Sequence, residues 1–194
     1  MNLYEQINYK DYHINIYYDE DALDPRQEFD HLGTLYTVHR RYQPEKDFNA
    51  HFKFNRVFDG RIEDFRDSFL KQYVALPVYL YEHGGATIAT SPFGCPWDSG
   101  FFGIIAVSLK RIRKEFGWKR ITKARREQVE AYLQGEIEEL DNYYTGSVYG
   151  YEITPEDDDT EVVDSCWGFY GDEAMKEMIK ECKLYIDGLS HMVA

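Results

Sequence analysis

The sequence predicts an α+β protein with a mainly antiparallel sheet and about three or four helices, in one domain over residues 1–194. Short segments with the two-residue alternation of strands follow one another through the first half of the chain and return near its end. Segments with helical periodicity are grouped between and after these strands rather than alternating with them. A length of 194 residues is enough for one domain with a full core.

Most elements predicted in the first half of the chain are strands. Alternation predicts one strand at Tyr12–Tyr18 and a second over about residues 34–40. Apolar residues with helical spacing predict a helix within residues 61–73. Two β-rich runs flank the turn EHGG, and they predict a hairpin because glycines permit the positive φ angles of tight turns.

The second half of the chain combines helices with three strands. The apolar run FFGIIAVSL predicts a central strand, and a short helix follows it and ends at Gly117. A longer helix is predicted between Thr122, its N-cap, and Gly146, which lies just past its last turn. Strands are then predicted in SVYGYEITP and VVDSCWGFYG, and a final helix closes the chain.

Charge is abundant and unevenly distributed along the chain. There are 22 Lys and Arg against 35 Asp and Glu, a net charge of −13. Residues 110–126 contain nine basic residues and one acid, whereas residues 127–141 contain six acids and residues 145–175 nine acids, without Lys or Arg in either range. The excess of acids argues against general binding to nucleic acid or an anionic membrane, and it favours either a basic partner or simply high solubility.

The acidic segments are a candidate partner-binding surface. Duplex DNA carries one charge per about 1.7 Å of its axis, and a helix beside an acidic loop can present a comparable density. An acidic protein adapted only for solubility would spread these charges more evenly, so the segregation favours binding. The candidate binding residues are Glu136, Glu139, Asp141, Glu156, Asp157, Asp158, Asp159 and Glu161.

The basic segment LKRIRKEFGWKRITKARR has two interpretations. Its cations suit phosphate groups, and Trp118 could stack on a base. Alternatively, its Lys and Arg side chains form ion pairs with the acids around them. The net charge of the whole chain favours the ion pairs.

Two segments, FGCPWDSGFFG and DSCWGFYGD, raise the question of a thiol site. A nucleophilic thiol needs a base within reach, and at ~3.4 Å per strand residue the predicted hairpin puts His83 about 25–35 Å from Cys95. An acidic neighbour, Asp164, disfavours the thiolate of Cys166. We therefore expect structural corners, with Trp97 packed on the sheet and Cys166 facing away from Trp167. The residues of this structural motif are Cys95, Trp97, Asp98, Asp164, Cys166 and Trp167.

The sequence predicts no cofactor and no metal site. The six His have no zinc spacing, the acidic loops lack the pattern of a calcium loop, and no phosphate-binding loop is present. Three Cys without a CxxC pair, together with the lack of a signal peptide or an apolar run long enough for a bilayer, predict a cytoplasmic protein that does not bind membranes. We expect a monomer or a homodimer.

Four segments in this order, HLGTLYTVHRRY, LPVYLYEHGG, SPFGCPWDSGFFG and DSCWGFYGD, resemble a family of small acidic proteins encoded by phages, plasmids and other mobile elements of bacteria. The resemblance covers roughly residues 12–172. It implies a protein that acts inside the bacterial host cell, where small acidic proteins from mobile elements often block host defences.

We therefore expect a protein that binds and inhibits a basic, nucleic-acid-binding defence protein of the host, of the anti-CRISPR or antirestriction type. DNA mimicry is one mode for such an inhibitor, and direct binding of nucleic acid is not expected. The alternative is a thiol- or carboxylate-dependent enzyme that uses Cys95 and Asp98 with Asp164 and Cys166. A structural or regulatory protein of the mobile element is a third possibility.

Overall fold

The computed structural model describes residues 2–95 and 97–192, and their fold is α+β, as predicted. The chain forms two compact units. Unit 1 contains the chain up to Leu23 and from Asn142 onward, and unit 2 contains Asp24–Asp141. The strands are divided between two larger sheets and a two-stranded ribbon rather than forming one sheet. One domain over residues 1–194 stays a prediction.

The described residues form eleven strands and seven helices, four of which are single turns. The strands are β1 (Asn2–Tyr9), β2 (Tyr12–Tyr18), β3 (Thr34–Thr37), β4 (Lys46–Asp47), β5 (Phe58–Asp59), β6 (Arg61–Phe65), β7 (Tyr73–Glu82), β8 (Ala86–Ala89), β9 (Ser99–Ser108), β10 (Val148–Pro155) and β11 (Asp164–Tyr170). The helices are α1 (Pro25–Glu28), α2 (Phe48–His51), α3 (Phe54–Val57), α4 (Asp67–Leu70), α5 (Leu109–Phe116), α6 (Lys123–Thr145) and α7 (Gly171–Met192).

Unit 1 is a four-stranded antiparallel sheet in the order β1-β2-β10-β11, with α7 packed on one face. Alternation along the strands places Ile14, Ile16 and Ile153 on that face, where they pack against Met178 and Cys182 of α7. These five side chains are almost completely buried, so they form the centre of the core of unit 1.

Unit 2 is built on a five-stranded sheet in the order β4-β3-β9-β7-β8, in which β9 is central, as predicted from its apolar run. Helix α6 buries Leu133 and Ile137, which are four residues apart and therefore lie on one face of the helix. This helix approaches the sheet closely at Gly33. A β-carbon there would lie 2.5 Å from Leu133 and 2.8 Å from Ile105, so a larger residue would have to displace these two buried side chains.

An aromatic layer covers the other face of this sheet. Phe48, Phe58 and Phe69 are buried there against Ile104 and Ala106 of β9. The layer is formed by the single-turn helices α2, α3 and α4 and by the β5–β6 ribbon. The five-stranded sheet is therefore covered on both faces, which agrees with the continuous burial of Phe102–Val107 along β9.

The helix predicted within residues 61–73 is confirmed only for the single turn α4, and its first part is wrong. The segment forms strand β6 and then the single turn α4. The three-residue spacing of Ile62 and Phe65 fits a helix, but Phe65 lies between the rings of Phe58 and Phe69, at centroid distances of 4.9 and 5.8 Å. Tertiary aromatic packing therefore overrides the local pattern.

The remaining predicted elements are confirmed, with small differences in their bounds. Strand β2 and the β7–β8 hairpin are present, as are β9, β10, β11 and the helices α5, α6 and α7. The strand predicted over residues 34–40 ends at Thr37. Strand β1 was not predicted, because its mostly polar and exposed sequence NLYEQINY carries no clear alternation of apolar residues.

Candidate functional site

The predicted acidic surface begins on α6, where Glu136 is used inside unit 2. The carboxylate of Glu136 accepts hydrogen bonds from the backbone N–H groups of Leu32 (2.7 Å) and Gly33 (3.1 Å). It also pairs, at 3.3 Å, with the guanidinium of Arg26, whose side chain is only 1% exposed. Glu45 lies 3.7 Å from the same guanidinium. Glu136 therefore compensates a buried cation and fixes the 32–33 backbone.

The other two carboxylates predicted on α6 also have partners within unit 2. Glu139 contacts the ring of His31 at 2.9 Å, and this hydrogen bond raises the pKa of His31. Asp141 accepts a hydrogen bond of 2.7 Å from the backbone N–H of Ile88, and burial raises the pKa of Asp141. The helix carboxylates thus stabilise unit 2. A role of these three residues in partner binding stays a prediction.

Unlike the three predicted binding carboxylates of α6, those of the acidic loop after β10 are exposed. All of its predicted binding residues are exposed: Glu156, Asp157, Asp158, Asp159 and Glu161. Asp158 accepts hydrogen bonds from the backbone N–H (2.9 Å) and the hydroxyl (2.5 Å) of Thr160, and these bonds lower its pKa.

The backbone at both ends of this loop is anchored to the sheet of unit 1. Glu156 donates its N–H to the carbonyl of Asp11, and Val163 donates to the carbonyl of Ile153. Within the loop, the Asp159 carboxylate lies 3.7 Å from His13. The loop therefore has a defined backbone from which its carboxylates point to solvent.

The net negative charge of the protein is carried entirely by residues of unit 1. This unit contains 17 Asp and Glu against four Lys, a net charge of −13. Unit 2 contains 18 Asp and Glu against 18 Lys and Arg, a net charge of zero. The charge segregation seen along the sequence is therefore also a segregation between the two compact units.

The first Cys–Trp segment lies at the start of β9 in unit 2. The carboxylate of Asp98 lies 3.2 Å from Nδ1 of His83, and the Cys95 thiol lies 3.8 Å from the same carboxylate oxygen. The predicted separation of about 25–35 Å between His83 and Cys95 is therefore wrong. The hairpin exists, but β8 has only four residues, and the chain then returns so that Ser99 pairs with Tyr81 at the end of β7.

Trp97 does not pack on the sheet as expected, because its side chain is 92% exposed. It borders a cavity of about 340 Å³. The other residues of this cavity are His39, Leu80, Glu82, Asp98, Ser99, Gly100 and Phe101. His39 contacts Glu82 at 3.5 Å, so two imidazole–carboxylate pairs, His39–Glu82 and His83–Asp98, occur in and beside the cavity.

The chemistry available to Cys95, Asp98 and His83 depends on which of these groups contact one another. A thiol nucleophile is activated by a base that accepts its proton, usually an imidazole in direct contact. Here Asp98 lies between Cys95 and His83, and the thiol donates to the carboxylate. The thiol of Cys95 and the carboxylate of Asp98 can share a proton, but the imidazole of His83 contacts the carboxylate and not the sulfur.

The second Cys–Trp segment forms the edge strand β11 of unit 1. Asp164 accepts a hydrogen bond of 2.7 Å from the hydroxyl of Tyr151. Cys166 is exposed and is paired with Tyr151, while Trp167 is paired with Gly150, so the two side chains point to opposite faces, as predicted. The indole of Trp167 stacks on the ring of Tyr17 at a centroid distance of 6.0 Å.

Arg26, His31 and His83 were not selected from the sequence. The role of Arg26 depends on Glu136, which lies 110 positions away, and that of His31 depends on Glu139, 108 positions away. No local pattern carries such information. The contact of His83 with Asp98 is predictable from the sequence in principle, because it follows from the antiparallel pairing of β9 with β7.

No group of three or more His, Cys, Asp and Glu side chains is arranged to hold a metal ion within residues 2–95 and 97–189, the ranges whose side chains the structure describes. Over the same residues, none of the helices combines the length and the hydropathy that a bilayer crossing requires. Comparison of the chain with protein-family models, with curated proteins and with solved structures finds no match.

Proposed function

We propose that the protein binds a basic protein partner through unit 1, and that this partner is a nucleic-acid-binding defence protein of a bacterial host cell. The observation that carries the proposal is the net charge of −13 in unit 1, which includes the anchored and exposed loop of residues 156–161. A basic groove shaped for nucleic acid is attracted to such a surface, and it is blocked for its own substrate when occupied.

The surface of this proposal is narrower than the acidic surface predicted from the sequence. The loop carboxylates are exposed, whereas Glu136, Glu139 and Asp141 have partners within unit 2. The loop is therefore the part that contacts the partner. The class of partner rests on the resemblance to proteins of mobile elements, and inhibition of an anti-CRISPR or antirestriction type follows from that class.

The first experiment identifies the partner. The full chain is immobilised and incubated with lysate of the bacterial host, and retained proteins are identified by mass spectrometry. We expect a basic, nucleic-acid-binding protein whose retention falls steeply with added salt, because charges beyond a Debye length of about 8 Å are screened at physiological ionic strength. Retention of acidic proteins alone would refute the proposal.

The second experiment reverses the charge of the loop. A variant with Glu156, Asp157, Asp159 and Glu161 changed to Lys keeps Asp158, which holds the loop through Thr160. We expect slower association with the partner and loss of competition with its nucleic acid. The control reverses four exposed acids of unit 2 (Glu28, Asp30, Asp64 and Asp67), which gives the same change in net charge. Equal losses in both variants would show that the loop has no specific role.

A second candidate function is that of a thiol- or carboxylate-dependent enzyme. It is favoured by the contact of Cys95 and His83 with one carboxylate oxygen of Asp98 and by the adjacent cavity. Iodoacetamide labelling of the native protein tests it. Fast labelling of Cys95 that slows in His83→Gln would support an activated thiol, whereas labelling at the rate of a free cysteine in both proteins would exclude a thiol-dependent enzyme.

A further inference from the structure

The α5–α6 region of unit 2 has a concentrated positive charge. Residues 110–126, here named the basic corner, contain nine Lys and Arg and one acid. The ion pairs favoured by the net charge are mostly not formed. Within the part of the chain that the structure describes, the one salt bridge of the basic corner joins Lys123 and Glu127 at 3.8 Å.

Three arginines of the basic corner are used to hold its backbone in place. Arg111 donates to the carbonyl of His31 and Arg125 to the carbonyl of Arg120. Arg126 donates to two carbonyls: that of Tyr73 (2.8 Å), the first residue of β7, and that of Leu70 (2.9 Å), which precedes this strand. The basic corner is therefore a fixed surface and not a flexible charged segment.

Five further cations of this surface remain available to a ligand. They are exposed, and among the described residues their side chains form neither ion pairs nor hydrogen bonds. The first turn of the 23-residue helix α6 contains no acid, so the positive end of the helix dipole adds to their field. The five are Lys110, Arg113, Lys114, Lys119 and Arg120.

Aromatic rings form a column through the basic corner. The Trp118 ring is stacked on Phe116 at 4.4 Å, and the Arg125 guanidinium lies 4.7 Å from the centroid of the same indole. Phe116 is stacked in turn on Tyr132 at 5.8 Å. Trp118 therefore has stacking partners inside the protein, whereas Tyr132, at the end of the column, is 48% exposed.

A cavity of about 590 Å³ lies beside this last ring. It is lined by Arg111, Phe116 and Tyr132, by His31 and Leu32, and by the three acids Asp30, Glu115 and Glu136. A planar base entering the cavity can stack on Tyr132 while its phosphates contact the cations outside. Stacking on exposed aromatic rings within a positively charged surface is the usual mode of binding single strands.

We propose that the basic corner binds a single-stranded nucleic acid, with phosphates at the five exposed cations and a base stacked on Tyr132. The basic corner contains nine basic residues and one acid, a net charge of +8. At physiological salt the local charge within about 8 Å dominates the potential that a phosphate meets. This proposal is independent of the partner of unit 1.

Fluorescence anisotropy of the full chain with labelled oligo(dT) and oligo(rU) of equal length tests the proposal. We expect binding of at least one of them with a dissociation constant in or below the range of about 10⁻⁴ to 10⁻⁶ M, and weaker binding to a duplex of the same length. The comparison of the two single strands shows whether the source is DNA or RNA. Binding of neither strand, or equal binding of the duplex, would overturn the proposal.

Charge variants locate the site. Reversal of Lys114, Lys119 and Arg120 to Glu should lower the affinity at least about tenfold and reduce the slope of log K against log salt by about 2, at about 0.7 per phosphate contact on a single strand. The control reverses Lys46, Lys53 and Arg56, which are also exposed cations of unit 2. Equal effects of the two variants would contradict a site at the basic corner.

Variants of Tyr132 test the stacked base. Tyr132→Ala should lower the affinity for the single strand roughly fivefold or more, because base stacking contributes about 1–3 kcal/mol. Tyr132→Phe keeps the ring and should bind as the original chain does. Neither variant should change binding of dextran sulfate, a polyanion without bases. If the basic corner instead binds unit 1 of a second copy, the chain will self-associate in low salt without binding either strand, and the proposal fails.

Discussion

The indole of Trp167 lies directly over Gly150 of the neighbouring strand, where an added β-carbon would come within 2.1 Å of the ring. The same indole stacks on Tyr17 of the next strand, so a single side chain bridges three adjacent strands of unit 1. Two glycine-to-alanine changes, one at this contact and one elsewhere, separate the effect of the ring from that of the backbone.

Gly150→Ala should destabilise the protein by about 1–3 kcal/mol, because the methyl group must displace the indole. Gly135→Ala is the matched control. Gly135 lies in α6 with open space around it, and alanine there should stabilise the helix by about 0.5–1 kcal/mol. Urea unfolding followed by tryptophan fluorescence measures both. Equal free energies of unfolding for Gly150→Ala and the original chain would show that Trp167 is not held on Gly150.

The buried pair of Arg26 and Glu136 should contribute strongly to the stability of unit 2. Arg26→Leu leaves the Glu136 carboxylate without its cation, and we expect a loss of about 3 kcal/mol in the free energy of unfolding. Arg41→Leu is the control, because the Arg41 side chain is 74% exposed and its pair with Glu82 should contribute about 1 kcal/mol or less. Similar losses for both variants would contradict the importance of burial.

The pair of His31 and Glu139 predicts a dependence of stability on pH. The pKa of His31 is raised in the folded state, so the stabilisation is fully present below the ordinary histidine pKa of about 6.5 and is lost as the pH rises through the raised value. The difference in melting temperature between the original chain and Glu139→Gln should therefore shrink as the pH rises from about 6. A constant difference over this range would argue against the pair.

The three cysteines should react in a fixed order. Cys166 is exposed on the edge strand and should react first with a maleimide, whereas Cys95 is partly buried and should react more slowly. Burial raises the pKa of Cys182 to about 12, and this thiol should react only as fast as the protein unfolds. Peptide mapping by mass spectrometry over time measures the three rates. Labelling of Cys182 before Cys166 would be incompatible with the packing of α7.

Elements with strong periodicity were predicted from the sequence, because their own residues carry the signal. Strand β2 has the predicted bounds, α6 lies between the predicted N-cap Thr122 and Gly146, and α7 follows β11 as predicted. The segment of Ile62 and Phe65 was misassigned because its spacing fits both a helix and a ribbon strand, and only the neighbouring rings decide between them.

The candidate sites could be predicted from the sequence less well than the fold. Glu136 and Glu161 look alike in sequence, yet one compensates a buried arginine and the other points to solvent. That difference depends on Arg26, which local patterns cannot connect to α6. The proximity of His83 to Cys95 escapes the sequence prediction for a related reason, since it depends on the return of β9 along β7.

Unit 1 is made from two separate parts of the chain, and this determines the order in which the units can form during synthesis. Strand β2 pairs with β10 across an intervening segment that contains all 118 residues of unit 2. The residues of unit 2 leave the ribosome before β10, β11 and α7 have been translated. Until then, the β1–β2 hairpin has neither its neighbouring strand nor its covering helix, and Ile14 and Ile16 are exposed to solvent. The nascent chain therefore carries an unpaired strand edge and an uncovered apolar face throughout the translation of unit 2, a period in which chaperones and proteases can act on it.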